Sequence, residues 1–226
     1  MSKNSFVLLS YFIDKKTPLY GNTPAIKISD FSNIKKNASA NTSIITIHNH
    51  LGTHVDAPKH FYDNGKAISD FKINDLIFEK PLVINCFCKP GDLVNIKHLE
   101  KYEKELKKCD ILLLKTGFSK YRKKRVYSTR NPGLHPVAAM WLKACFSGLK
   151  AIGLDSISVS SLCHRDLGKE THKILLEQKV KGATPILIIE DMFIPENLNE
   201  IERIFVLPLM VKGIDSIQVT VLAEIK

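Results

Sequence analysis

Four of the eight histidines in this 226-residue chain, His48, His50, His54 and His60, fall within thirteen positions, and Asp56 lies among them. Neutral imidazole and carboxylate each offer a lone pair to a divalent ion, and that mixture of donors suits zinc, manganese or iron. A lone histidine carries no such message, but His-x3-His-x-Asp-x3-His with Gly52 and Pro58 inside it does. His48 stands outside the pattern, and its place at a strand end fits a supporting or a solvent-facing role equally well.

Spacing limits the backbone that could use these residues. In a straight strand His50 and Asp56 would share a face but lie about 20 Å apart at ~3.3 Å per residue, too far to share an ion with bonds of about 2 Å. In a helix His50 and His54 would meet at i, i+4, yet Gly52 and Pro58 are poor interior helix residues. The expectation is a coiled loop after a strand at 43–47, wrapped round a metal, with Gly52 allowing tight backbone approach.

The elements that must position this loop show in the apolar pattern. Runs rich in β-branched residues at 6–13, 43–47, 82–87, 111–114, 151–154, 186–189, 205–211 and 218–223 read as strands. Helices are expected from a cap at Asn95 to about residue 107, from Pro136 to just before Gly148, and over 169–178. Strands come first and strand–helix alternation follows, which indicates an α/β fold with a mixed sheet. No repeat, low-complexity segment or linker divides the chain, so one domain over 1–226 is expected.

Composition narrows the classes further. The chain is 44% hydrophobic and 25% charged, enough to bury a large core. No apolar stretch approaches the ~20 residues that cross a bilayer, and the N-terminus lacks a secretory pattern. The five cysteines (Cys86, Cys88, Cys109, Cys145, Cys163) are odd in number and lack C-x-x-C spacing. They read as reduced core thiols of a cytoplasmic protein. The net charge of +10 is mostly dispersed lysine, with one dense run at 120–125 that reads as a solvated loop ahead of a nucleic-acid patch.

The stretch His50-Leu-Gly-Thr-His54-Val-Asp56-Ala-Pro58-Lys-His60-Phe61 resembles the signature of the cyclase-like hydrolase family, which includes bacterial kynurenine formamidase and isatin hydrolase. Similarity continues through Asn131-Pro-Gly-Leu134, Lys150-Ala-Ile-Gly-Leu-Asp155, His172-Lys-Ile-Leu-Leu176 and Ile188-Ile-Glu190-Asp-Met192, in family order. The resemblance implies the swivelling β/β/α architecture of that family. It also implies that His50, His54 and Asp56 bind one metal, that Asp56 and Glu190 bridge to a second held also by His172, and that His60 shuttles a proton. Two departures stand out: the stretch 177–184 is longer than the family's turn, and Leu19-Tyr20-Gly21-Asn22 replaces a tryptophan element, leaving Tyr20 to line the substrate pocket.

These residues support hydrolysis of an amide-type C–N bond (an aryl formamide, lactam or cyclic amide) with one or two zinc or manganese ions activating water and His60 as acid and base. The partner expected is a small molecule, with the basic balance suited to a carboxylate; the sequence nominates no single cation to meet it, Arg165 and Lys59 being candidates by position alone. The resemblance further implies a homo-oligomer, dimer or tetramer. Rival readings are an inactive relative that binds a ligand and, more remotely, a nucleic-acid-binding protein using the 120–125 run. Cys163-His164 offers a weaker nucleophile, because adjacent side chains rarely meet in hydrogen-bonding geometry.

Overall fold

The computed structural model describes residues 5–178, 184–198 and 200–226, so the longer approach to Glu190 lies partly outside the described residues, at 179–183. The strands are β1 (Ser5–Leu8), β2 (Lys27–Ser32), β3 (Thr42–Thr46), β4 (His54–Asp56), β5 (Ile77–Phe78), β6 (Pro81–Asn85), β7 (Leu93–Val94), β8 (Ile111–Lys115), β9 (Gly133–Leu134), β10 (Ala151–Leu154), β11 (Leu187–Glu190), β12 (Ile201–Pro208) and β13 (Ser216–Ile225). The α-helices are α1 (Ile96–Leu99), α2 (Glu103–Leu106), α3 (Val126–Thr129), α4 (Pro136–Cys145) and α5 (Arg165–Leu176).

Among the described residues nine strands form one mixed sheet in the order β5-β12-β13-β4-β11-β10-β8-β6, with β1 also on β13. Strands β6, β8, β10 and β11 run parallel, and from β4 to β5 the pairing is antiparallel. The parallel strands read as unbroken apolar runs because both faces are covered. Leu112, Leu114, Ile152 and Ile188 enter one core with α4 and α5, while Ile111, Leu113 and Ile189 enter a second. That second core also takes Val55, Val206, Val219 and Val221, so the antiparallel half of the sheet curls back almost into a barrel. Each such aliphatic side chain stabilises the fold by about 1.5–3 kcal/mol when fully buried.

Three sequence expectations need correction here. The helix from Asn95 breaks into α1, a 3-10 turn and α2, because the segment buries only Leu99 and Leu106, too sparse a stripe to hold one long helix. The Asn95 side chain makes no cap; instead the Asn95 backbone N–H donates to His98 Nδ1. Cys86 and Cys109 are buried as expected, but Cys145 and Cys163 are exposed.

The helix expected at 169–178 begins at Arg165, because Gly168 is no breaker there: it is a contact surface. A Cβ at 168 would collide with Ser160, so glycine lets α5 lie against the 156–161 loop. Helix propensity alone predicts that Gly168→Ala stabilises by about 1 kcal/mol, whereas the contact predicts destabilisation by about 1–3 kcal/mol. The shift in urea midpoint decides, and a stabilised variant would refute the contact. At its other end α5 is tied to α4 by Lys143, whose Nζ donates to the carbonyls of Ile174, Leu175 and Glu177.

Candidate metal centre

The sheet sets the site through β4. His54 and Asp56, two residues apart on a strand, point to one face, and Glu190 lies directly across from His54 on β11. The histidine segment is therefore a strand at its centre, not a coiled loop throughout. The argument against a straight strand holds for His50 alone, which returns to the site through a turn. That turn is held by Gln218 Nε2, which donates to the carbonyls of His48 and Leu51. Gly52, at φ 74°, makes its close approach to the Ile13 side chain rather than to the site. His60 ends a 3-10 turn (Pro58–His60) just past β4, and His172 comes from α5.

The donor atoms converge. His50 Nδ1 lies 3.1 Å and His54 Nε2 3.5 Å from Asp56 Oδ1, while His172 Nε2 lies 3.7 Å from Asp56 Oδ2. Glu190 repeats the pattern, with Oε2 3.5 Å from His54 Nε2 and Oε1 3.4 Å from His172 Nε2. Asp56 is 1% exposed, yet neither of its oxygens has a hydrogen-bond partner, nor has His54 Nε2, among the described residues.

The tautomers follow from the partners on the far side of each ring. His54 Nδ1 donates to the Gly52 carbonyl at 2.8 Å, and His172 Nδ1 donates to the Gly168 carbonyl at 2.9 Å. A carbonyl can only accept, so in the neutral rings both Nε2 atoms carry lone pairs toward the carboxylates. His50 Nε2 donates to Asp215 Oδ2 at 3.0 Å, which turns its Nδ1 to the same centre. Burial opposes charge on His50, but Asp56 and Asp215 more than offset it and hold the imidazolium up at about 10. Burial likewise opposes charge on His172, and Glu190 raises it.

The comparison with known proteins can be set beside this geometry. Residues 7–161, well over half of the chain, match the model of the Cyclase family. The chain belongs to the Cyclase family. A kynurenine formamidase of Geobacillus thermodenitrificans is 28% identical over 171 residues, 73% of this chain and 74% of that protein. A kynurenine formamidase of Bacillus cereus is 28% identical over 187 residues, 80% of this chain and 78% of that protein. In fold, isatin hydrolase A from Labrenzia aggregata, solved with benzyl benzoate, is similar with a TM-score of 0.82 at 18% identity, over 98% of this chain and 94% of that one.

In this Cyclase-family chain the converging donors form the floor of a cavity of about 530 Å³. Phe61, Ile157 and Leu162 give it apolar walls, and Arg165 and Lys169, about two turns and one turn before His172 on α5, give it cations. Tyr20 lines it, its hydroxyl donating to the Ser160 carbonyl at 3.0 Å. His48 also lines it and accepts from the His50 N–H. Lys59 is exposed and outside the lining, whereas Arg165 is part of it.

Two contributors escape a sequence reading. Asp215 accepts from both His50 Nε2 and His60 Nδ1, each at 3.0 Å, and is fixed by Asn49 Nδ2 on its other oxygen. Ser158 Oγ and Val159 N both donate to Glu190 Oε1, which orients that carboxylate. Neither Asp215 nor Ser158 sits in a local pattern that marks it.

Proposed function

We propose that this chain is a metal-dependent hydrolase that cleaves an amide-type C–N bond in a small molecule: an aryl formamide, a lactam or a cyclic amide. The observation that carries the reading is the meeting of three imidazole nitrogens on the two buried oxygens of Asp56. Buried carboxylates and imidazoles without partners are costly, and a divalent cation is the group that satisfies all of them together. His50, His54 and Asp56 would hold it, with His172 and Glu190 completing the set for one ion or holding a second together with Asp56. The nitrogen and oxygen donors suit zinc or manganese. When bound, such an ion supplies Lewis acidity and makes water a nucleophile near neutral pH.

The chain's own residues divide the remaining work. Asp215 fixes the His60 Nδ1 proton, so Nε2 is left to accept and return the proton that the leaving nitrogen requires. Phe61, Ile157, Leu162 and Tyr20 would hold an apolar ring, and Arg165 with Lys169 would meet a carboxylate on the substrate. The kynurenine formamidases among its relatives support this reaction class. The free state of all five cysteines supports a reducing, cytoplasmic setting, and no helix among the described residues is long and apolar enough to cross a membrane. The reading extends to a homo-oligomer: the β2–β3 ribbon leaves Phe31 and Ile45 exposed, and two strands alone are marginally stable.

Metal-loaded protein is expected to hydrolyse at least one of an N-formyl arylamine or a benzo-fused lactam. A chelator should abolish turnover, and zinc or manganese should restore it. Full metal occupancy with no turnover of any amide-type substrate would overturn the reading in favour of a ligand-binding relative.

A further inference from the structure

Asp191, the residue after Glu190, has φ 51°, a left-handed conformation that strains any residue with a Cβ. Its buried carboxylate collects three donors. Arg122 Nε reaches Oδ1 at 3.0 Å, Arg122 Nη2 reaches Oδ2 at 2.6 Å, and the Tyr127 hydroxyl reaches Oδ1 at 2.5 Å. The guanidinium also lies 3.7 Å from the centre of the Tyr11 ring. Arg122 comes from the basic run at 120–125, whose other cations are exposed, so the solvated-loop reading fails at this one residue.

The backbone of Asp191 is gripped as firmly as its side chain. Its N–H donates to the Ser156 carbonyl at 2.9 Å, and its carbonyl accepts from Thr53 Oγ1 at 2.6 Å. Each contact leads to a donor atom of the candidate centre. Thr53 adjoins His54, the loop from Ser156 returns Ser158 and Val159 to the Glu190 carboxylate, and Asp191 is joined to Glu190 itself. Yet neither Arg122 nor Asp191 lines the cavity. A buried ion pair is a poor source of stability, since apolar residues of equal volume often serve as well, and a geometric role accounts better for its presence.

We infer that the Arg122–Asp191 pair is a positioning device: it locks the left-handed turn after β11 and thereby sets Glu190 and His54 at the separation a shared ion requires. The inference rests on the metal-site reading above. Its test is the zinc dissociation constant by chelator competition, together with the melting temperature of the metal-free protein, for wild type, Arg122→Met, Arg122→Lys, Asp191→Asn and Asp191→Gly. Glycine accepts φ 51° without strain, so Asp191→Gly removes the carboxylate while sparing the backbone. Arg122→Met, Asp191→Asn and Asp191→Gly are expected to weaken zinc binding by about 10–100-fold. Arg122→Lys keeps the charge but loses the fork, so it should fall between these and wild type, and it guards against variants that do not fold. Folded variants, Arg122→Lys included, that bind zinc as wild type does and differ only in melting temperature would overturn the inference. Wild type that binds no zinc would instead fell the metal-site reading, and this inference with it.

Discussion

Replacing Asp56 with asparagine will leave a folded protein that no longer retains a divalent ion through dialysis and no longer turns over substrate. The expectation follows from what surrounds the carboxylate. It is almost wholly buried, and burial raises its pKa, yet His54 and His50, with a further contribution from His60, hold it far below the usual carboxylate range. The negative charge is thus sustained by three imidazoles, with His50 Nδ1 at 3.1 Å from Oδ1. Asparagine keeps the shape, removes the charge, and leaves one acceptor where there were two. Loss of a partner that merely orients a ligand weakens metal binding by about 10–100-fold, and loss of Asp56 should exceed that range. His48→Gln, in the same segment but outside the converging donors, should keep its metal. Equal metal content in Asp56→Asn and wild type would sink the site.

The same geometry fixes the pH dependence of binding. In the metal-free protein His50 is held up at about 10 by Asp56 and Asp215 against the effect of burial, so at neutral pH it carries a proton. That proton must leave before Nδ1 can act as a ligand. Apparent affinity should therefore fall as pH falls below 10, by about tenfold per unit for this one proton. Calorimetry in buffers of different ionisation enthalpy reads the proton released.

How much of this could be read from the sequence depends on where each partner lies. Strands β8, β10 and β11 are legible because burial on both faces forces unbroken apolar runs. Strand β4 is not, since it is three residues long and exists only because β11 and β13, more than a hundred residues later, close on both its edges. Strand β3 is legible in its β-branched run at 43–47, whereas its partner β2, exposed almost throughout, carries no alternation to find. The candidate ligands stand out because His50, His54 and Asp56 fall within one short segment. Asp215 and Arg122 do not, because their meaning lies in partners far along the chain: His60 for the first, Asp191 for the second. The helix carrying His172 starts four residues earlier than expected because Gly168 serves packing, a role that propensity alone cannot reveal.

Asp215 supplies the other large effect, and its test separates binding from proton transfer. One oxygen, Oδ2, accepts from both His50 and His60, while Asn49 donates to the other. In Asp215→Asn the amide cannot serve all three donors. If its oxygen faces Asn49, its NH2 meets two N–H groups, and His60 must move its proton to Nε2 to be accommodated. That is the wrong tautomer for a base. Turning an orienting carboxylate into an amide in this way costs catalysis on the order of 10³–10⁴-fold. Because His50 shares the oxygen, metal affinity should fall as well, and kcat must be measured at saturating metal. His60→Gln isolates the proton step: it should keep the ion and lose about 10²–10⁴-fold in kcat. If the two residues act as one unit, the double variant will be about as slow as the slower single one. Losses that multiply in the double variant, or a His60→Gln enzyme with wild-type kcat, would remove His60 from the proton path and leave Asp215 as a support for His50 alone.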